Sequence, residues 1–315
     1  MTQNTLSQAN TSQAADDEID LRELFAAIWQ GKWIIIATTF VFAVASVFYA
    51  LSLPNIYKSE ALLAPVNADG GMQLPGQLGG LAALAGVNLG GGGGDKTTLA
   101  IEVLKSREFI GRFIEEHDLF IPIMAATGWN RSSDSLNIDE DIYNVDTKEW
   151  VREVKAPFMP KPSLQETYSE FIQILSVSQN KDNGMVNISI NHYSPYLAKQ
   201  WVDKLIFAIN EDMRQRELSE AQRSITYLNE QIAQTNLADA RTMLFSLVEE
   251  QTKTLMLANV RSEYVFKTVD PALVAEKKSK PSRALIVIMA VMLGGMLSVL
   301  IVLVRYFSNK SSGSK

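Results

Sequence analysis

Two uncharged apolar runs of equal length, Trp33 to Leu53 and Ala284 to Val304, lie near opposite ends of this chain. Each holds 21 residues without Asp, Glu, Lys or Arg. At about 1.5 Å of rise per residue, a helix of that length covers roughly 30 Å, the thickness of a bilayer's hydrocarbon core. Lys32 and Lys58 bracket the first run, and Arg283 and Arg305 the second. Trp29, Trp33, Tyr49, Tyr57 and Tyr306 stand where interfacial aromatics gather. Two buried core helices would need a larger globular domain around them and no charge brackets. The runs therefore predict two membrane spans with one large loop between them.

Two crossings place both ends of the chain on one side of the membrane and Pro54 to Arg283 on the other. The expected division is a terminal segment over 1–32, a span over 33–53, a loop domain over 54–283, a span over 284–304 and a tail over 305–315. Charge does not orient it. Arg22, Lys32, Arg305, Lys310 and Lys315 flank the terminal side, and Lys58, Lys277, Lys278, Lys280 and Arg283 the loop side. That is a tie, and long loops translocate largely regardless of charge. A cleaved signal would begin with a short basic stretch. The acidic stretch Asp16-Asp17-Glu18-Ile19-Asp20 precedes this span instead, so a retained anchor is expected.

A net charge of −6 with mixed signs argues against a nucleic-acid partner. The absence of cysteine removes disulfides, thiolate metal sites and thiol nucleophiles. The loop of 230 residues is long enough to bury a core without such staples. Residues 1–15, rich in Gln, Asn, Thr, Ser and Ala, read as a disordered lead-in.

Within the loop, Tyr57 to Pro65 predicts a strand ended by proline. Gly70 to Gly94 is glycine-dense and predicts a mobile segment, because glycine loses the most backbone entropy on ordering. Leu99, Val103, Leu104, Phe109, Ile110, Phe113 and Ile114 recur at helical spacing from Thr97 to His117. Residues 118–162, rich in proline and acidic clusters, read as loop with one short helix near Trp150. Ser163-Leu164-Gln165-Glu166 has capping-box spacing and opens a helix to about Phe171. Ile174 to Gln179 and Met185 to His192 flank Asn183-Gly184 and predict a hairpin.

Ser194-Pro195 then supplies a cap and a proline at the first helical position. From Tyr196 to Asp270 there is no glycine or proline for 75 residues. Thr235 to Asp239 is the patch least suited to a helix and predicts a turn, with a second helix from Ala238 to about Asn259. Tyr264 to Val269 reads as a strand returning beside the one that leaves the first span. The fold class is thus α+β: two transmembrane helices flanking an α+β base with a long helical arm. An amphipathic arm too long for its base to cover predicts self-association.

Motifs for chemistry are scarce. Gly90 to Thr97 approaches a phosphate-binding loop, but Asp95 occupies the position where glycine must let backbone N–H groups reach phosphate. A loop whose Asp95 caps the next helix is the better reading. His117 and His192 lack a second imidazole at ligand spacing and read as a helix-end charge and a strand-end residue. Asp139-Glu140-Asp141 lacks the alternation of a calcium loop. Glu115-Glu116 and Glu249-Glu250 are adjacent on helices and point to different sides. Neither an enzyme nor a cofactor or metal site is expected. Trp129 and Trp150 could stack on sugar rings, whereas core packing suits Trp201. In the second run, Gly294 and Ser298 form a small-xxx-small pair with Gly295 beside it, a pattern that lets transmembrane helices approach closely.

Asp17-Glu18-Ile19-Asp20-Leu21 ahead of Trp29, Tyr57-Lys58-Ser59-Glu60, Pro271, Pro281-Ser282 and the glycines of the second run together resemble the Wzz-type polysaccharide co-polymerases, the O-antigen chain-length determinant family. The resemblance rests on the order of spans, base and arm over essentially the whole chain. It implies an inner-membrane protein with cytoplasmic ends and a periplasmic loop, assembled as a ring-like homo-oligomer. It further implies action with a Wzy-type polymerase on lipid-linked polysaccharide, setting the modal length of lipopolysaccharide O-antigen or a related polymer without catalysis. The family's proline cluster before the second span is thinner here, with Pro271 and Pro281, and the glycine-rich segment is not a fixed family feature. A capsule or exopolysaccharide export component working with a separate kinase, and a two-span periplasmic sensor, are the alternatives. The 11 residues after Val304 hold neither a fused kinase nor a sensor output module.

Overall fold

The computed structural model describes residues 21–66 and 92–312. The lead-in over 1–15, the Asp17 to Asp20 part of the N-terminal motif and most of the Gly70–Gly94 segment lie outside the described residues. Two compact units make up the chain: Met1–Leu53 with Pro281–Lys315, and Pro54–Lys280.

The first unit begins with α1 (Leu21–Gln30) and α2 (Lys32–Ser52). The second opens on β1 (Tyr57–Pro65), followed by α3 (Gly92–Lys105), α4 (Arg107–Glu116) and α5 (Phe120–Met124). Two small hairpins come next, β2 (Ala126–Asn130) with β3 (Ser135–Ile138), and β4 (Tyr143–Asn144) with β5 (Glu149–Trp150). Then follow α6 (Leu164–Ile174), β6 (Leu175–Gln179), β7 (Val186–His192), α7 (Pro195–Gln234), α8 (Ala238–Val260) and β8 (Phe266–Asp270). The chain returns to the first unit as α9 (Arg283–Ser312).

The base of the second unit is an antiparallel sheet in the order β6-β7-β1-β8. Its register sets Tyr57 opposite His192 and Leu63 opposite Val186. Alternation along each strand follows from the pleat, which sends successive side chains to opposite faces. Ser59, Ala61 and Leu63 of β1 are buried, with Val186, Ile188 and Ile190 of β7. Onto that face pack Ala198, Trp201, Val202, Leu205 and Ile209 of α7, with Phe109, Ile110, Phe113 and Ile114 of α4 and Phe171 of α6. The β6–β7 turn needs Gly184, whose φ of +70° is a left-handed conformation costly for other residues.

The caps are as the sequence implied. Ser163 Oγ accepts from Glu166 N while the Glu166 carboxylate accepts from Ser163 N, and Ser194 Oγ accepts from Leu197 N ahead of Pro195. Other expectations are corrected. The helix expected over Thr97 to His117 is two helices, because Ser106 adopts an extended ψ of 150° and its hydroxyl accepts from Phe109 N. The first of them starts at Gly92, so Asp95 lies within a helix and not in a loop ahead of it. Residues 118–162 hold a helix at Phe120–Met124 and two hairpins, and Trp150 sits on a strand, not a helix. Two-residue strands have too few side chains to show a period, and local turns define them: Asn144 Oδ1 accepts from the N–H groups of Asp146 and Thr147.

Candidate functional site

The long helix α7 has two environments. Between Pro195 and Met213 its inner face is buried on the sheet. Beyond Met213 only Ala221 and Ile232 are buried, and they belong to a narrow seam shared with α8. On α8 the residues turned away from solvent are Ala240, Leu244, Val248, Gln251, Thr254, Leu255 and Ala258, each three or four residues on from an earlier one. That spacing lays one stripe along a helix and leaves the rest of its surface uncovered. The uncovered surface carries Tyr227, Met243, Phe245, Met256 and Val260, the last 84% exposed. A two-helix hairpin with this much apolar surface is an association site by composition.

The root of the arm is tied by a side chain that sequence reading missed. Asn210, buried to 3% exposure, donates from Nδ2 to Phe266 O at 3.0 Å, and its Oδ1 accepts from Val265 N and Phe266 N, each at 2.9 Å. One amide thus holds the outgoing helix to the strand that returns. The only sequence signal was a polar residue on an otherwise apolar helix face. Around it Asp212 pairs with both Arg112 and Arg216, and Lys96 with Glu217 at 3.0 Å. Burial, with the charge and hydrogen bond of Glu217, pushes the Tyr264 phenol up to about 12. Hydrogen bonds from Arg214 and Gln215 hold the Glu211 carboxyl below its ordinary value.

Both histidines serve the core. His192 Nδ1 accepts from Ser194 N at 3.1 Å, which leaves Nε2–H to donate to Pro122 O at 3.2 Å, and the ring lies tilted against Trp201 with centroids 4.7 Å apart. Burial lowers its pKa below 6.5. His117 caps the end of α4 against Phe113, and burial, with Lys204 nearby, lowers its pKa as well. It stands at the helix end, as the sequence suggested, and the lowered pKa favours its neutral form there. Among the described residues no group of three His, Asp or Glu side chains could hold a metal ion. Glu115, Glu116, Glu249 and Glu250 are exposed. Trp201 is 1% exposed; Trp150 lies edge-on to Tyr143, and Trp129 contacts Tyr57 and Tyr196.

In the first unit α2 and α9 pack together. A Cβ on Gly294 would stand 2.7 Å from Phe42 Cβ, closer than real contacts allow, whereas one on Gly295 would meet nothing within 4 Å. Ser298 is fully buried and its hydroxyl donates to Gly295 O at 2.7 Å. Arg283 donates to Ala50 O at 2.9 Å and to Leu53 O at 3.3 Å, satisfying carbonyls that the end of α2 leaves without helical partners. Both helices are long and apolar enough to cross a bilayer, and the residues facing outward include Phe40, Phe48, Met296 and Leu300.

Comparison with known proteins places a family on these elements. Residues 17–117 match the model of the Wzz family, chain length determinant protein, and residues 238–307 match the "G-rich domain on putative tyrosine kinase". A full-length bacterial polysaccharide co-polymerase aligns over 92% of this chain and 99% of its own, at 15% identity and a TM-score of 0.39. A fragment of WzzB, the polysaccharide co-polymerase from Salmonella Typhimurium, aligns over 72% of this chain and all of its own, at 14% identity and a TM-score of 0.29. The chain carries a Wzz chain-length-determinant domain, and the resemblance to Wzz-type co-polymerases is borne out. It is an α+β membrane protein with a long helical arm, and its two apolar helices and Wzz domain fit an inner-membrane location.

Proposed function

We propose that this chain is a non-catalytic scaffold that sets the modal chain length of lipopolysaccharide O-antigen or a related surface polysaccharide. In this reading the 54–283 loop is periplasmic and the ends are cytoplasmic. Identical subunits join in a ring through the uncovered face of the α7–α8 hairpin. The ring acts with a Wzy-type polymerase on lipid-linked polysaccharide. The observation that carries the reading is the chain-length-determinant match over residues 17–117. The exposed apolar hairpin supports assembly, since such a surface is stable in water only when covered. Deleting and restoring the gene, with surface polysaccharide resolved on a gel, tests it. A ladder that loses its modal cluster but keeps its repeats is expected, and an unchanged ladder sinks the reading.

The match over residues 238–307 to a domain found on a tyrosine kinase favours a second reading, a capsule or exopolysaccharide component working with a separate kinase. Complete loss of high-mass polymer in the same experiment would select it. Gly294 and Ser298 are proposed as packing residues of the spans, whereas Gly295, expected beside them, faces open space. Gly294→Leu should separate α2 from α9 at a cost of about 1–3 kcal/mol from overpacking. Gly295→Ala, pointing into open space, should be silent in the same thermal melt.

A further inference from the structure

We infer that Tyr57, Trp129 and Tyr196 form an aromatic foot that lies in the lipid headgroup layer, held there beside the lysines that precede the second span. The inference goes beyond the length-control reading and rests on the two apolar helices being membrane spans.

The three rings come from distant parts of the second unit. Tyr57 opens β1, Trp129 lies on the β2 strand and Tyr196 is in the first turn of α7. Trp129 meets Tyr57 edge-on at 5.7 Å between centroids and Tyr196 at 6.0 Å. Tyr196 is 51% exposed, and neither Tyr57 nor Trp129 is buried. The indole Nε1–H of Trp129 donates to Asp134 at 2.9 Å, so its polar edge is oriented and its body left to the surface. Aromatics with one wet edge and one apolar body concentrate at bilayer interfaces.

Connectivity limits how far this cluster can lie from the ends of the apolar runs. Ile56 pairs with Lys280 in an antiparallel bridge, so both chain ends leaving the second unit for the spans depart from one place. Tyr57 is the residue after Ile56, four positions from Leu53 at the end of the first apolar run. At no more than about 3.6 Å per residue, four residues reach roughly 14 Å. That keeps Tyr57 near the interface, and ring contact holds Trp129 beside it. Lys277, Lys278 and Lys280 are all exposed on the adjoining segment, and Leu273 is 68% exposed just before them. Closely spaced lysines beside a membrane attract anionic headgroups. Aromatic bodies and ammonium groups together match a lipid surface better than a neutral sugar, which would gain nothing from the three charges.

The full chain, carrying Trp29→Phe, Trp33→Phe and Trp150→Phe, keeps only Trp129 and the buried Trp201 as emitters. Reconstituted in phosphatidylglycerol vesicles with a nitroxide on the headgroup, Trp129 should lose most of its emission and become shielded from acrylamide, while Trp201 stays unquenched by either. Lys277→Gln, Lys278→Gln and Lys280→Gln together should weaken the lipid quenching. Two results would overturn the inference: Trp129 open to acrylamide and untouched by the lipid nitroxide, or Trp129 shielded only when polysaccharide is added. Carbonate extraction of the same vesicles separates the underlying reading. A chain that is washed off sinks the spans and the foot together, whereas one that is retained but unquenched sinks the foot alone.

Discussion

The two halves of α7 are one uninterrupted helix under opposite conditions. From Pro195 to Met213 it is one wall of a core, with Trp201, Val202, Leu205 and Ile209 all at 1% exposure or less. From Arg214 to Gln234 it has α8 for company, with Lys96 of α3 paired to Glu217 near its root, and solvent elsewhere. The distal half of α7 is mostly polar in sequence, and the exposed apolar side chains of the arm lie chiefly on α8. Tyr227 on α7, and Met243, Phe245 and Val260 on α8, are more than half exposed. Stability of the single chain therefore resides in the base, and the arm contributes surface. A chain selected only to fold would have no need of that apolar surface, which is why its coverage by a partner is the natural reading.

The sharpest way to test this contrast is to truncate one side chain in each half. Trp201→Ala should destabilise the base by about 3–5 kcal/mol, since removing a buried indole leaves a cavity. Tyr227→Ala should stay within about 0.5 kcal/mol, as exposed substitutions do. Urea unfolding of the full chain in detergent, followed by circular dichroism, reads both. Equal losses would mean that the arm is as much a part of the fold as the base.

Asn210 marks the border between the halves. Asn210→Ala deletes three buried hydrogen bonds and strands the N–H groups of Val265 and Phe266 and the carbonyl of Phe266. A loss of about 2–3 kcal/mol is expected in the same unfolding experiment. A variant as stable as the parent would show that β8 is held by its pairing with β1 alone.

Acid should weaken the base before the arm, because His117 and His192, the chain's two histidines, both lie in the base. Burial lowers both pKa values below 6.5, so each favours the folded chain only while neutral. Their contribution is complete above 6.5 and is lost as pH falls through the folded pKa values, because the unfolded chain takes up the protons first. Glu166 adds a second loss at lower pH. Burial alone would raise its carboxyl, but bonds from the Ser163 backbone N–H and the Arg152 guanidinium outweigh that and hold it below 4.5. Melting temperature measured from pH 8 downward should begin to fall near 6.5. His192→Gln should flatten the slope, and an unchanged slope in the variant speaks against a titrating core.

The smallest effect on the single chain comes with the largest on assembly. Phe245→Asp and Val260→Asp should leave the unfolding curve where it was, because neither side chain is buried. Mass measurement in detergent should nevertheless show a smaller particle. A particle of unaltered mass would move the interface elsewhere on the chain.

Much of this fold is legible in the residues. Ser163, Ser194-Pro195 and Asn183-Gly184 announce their caps and turn because local hydrogen bonds and steric limits are set within a few residues. The apolar runs announce their helices because bilayer thickness is a length and charge is expensive inside it. The 75 residues without glycine or proline announce the long helices, and Thr235 to Leu237 their break. Other features had no local signal. Ser106 looks like any serine inside a periodic stretch until its hydroxyl is seen to accept from Phe109 N. Asn210 becomes a clamp only when β8, more than fifty residues onward, arrives beside it. Gly294 is separated from Gly295 by the position of Phe42 alone. Hydrogen bonds and packing between residues far apart in sequence carry no periodic trace, so the base's wiring and the meeting of Tyr57, Trp129 and Tyr196 belong to the tertiary structure. The sequence by itself determined the spans, the four strands of the base sheet and the two long helices of the arm. The tertiary structure decided which helix surface is core and which is left for a partner, because burial is a property of what arrives beside a residue and not of the residue itself.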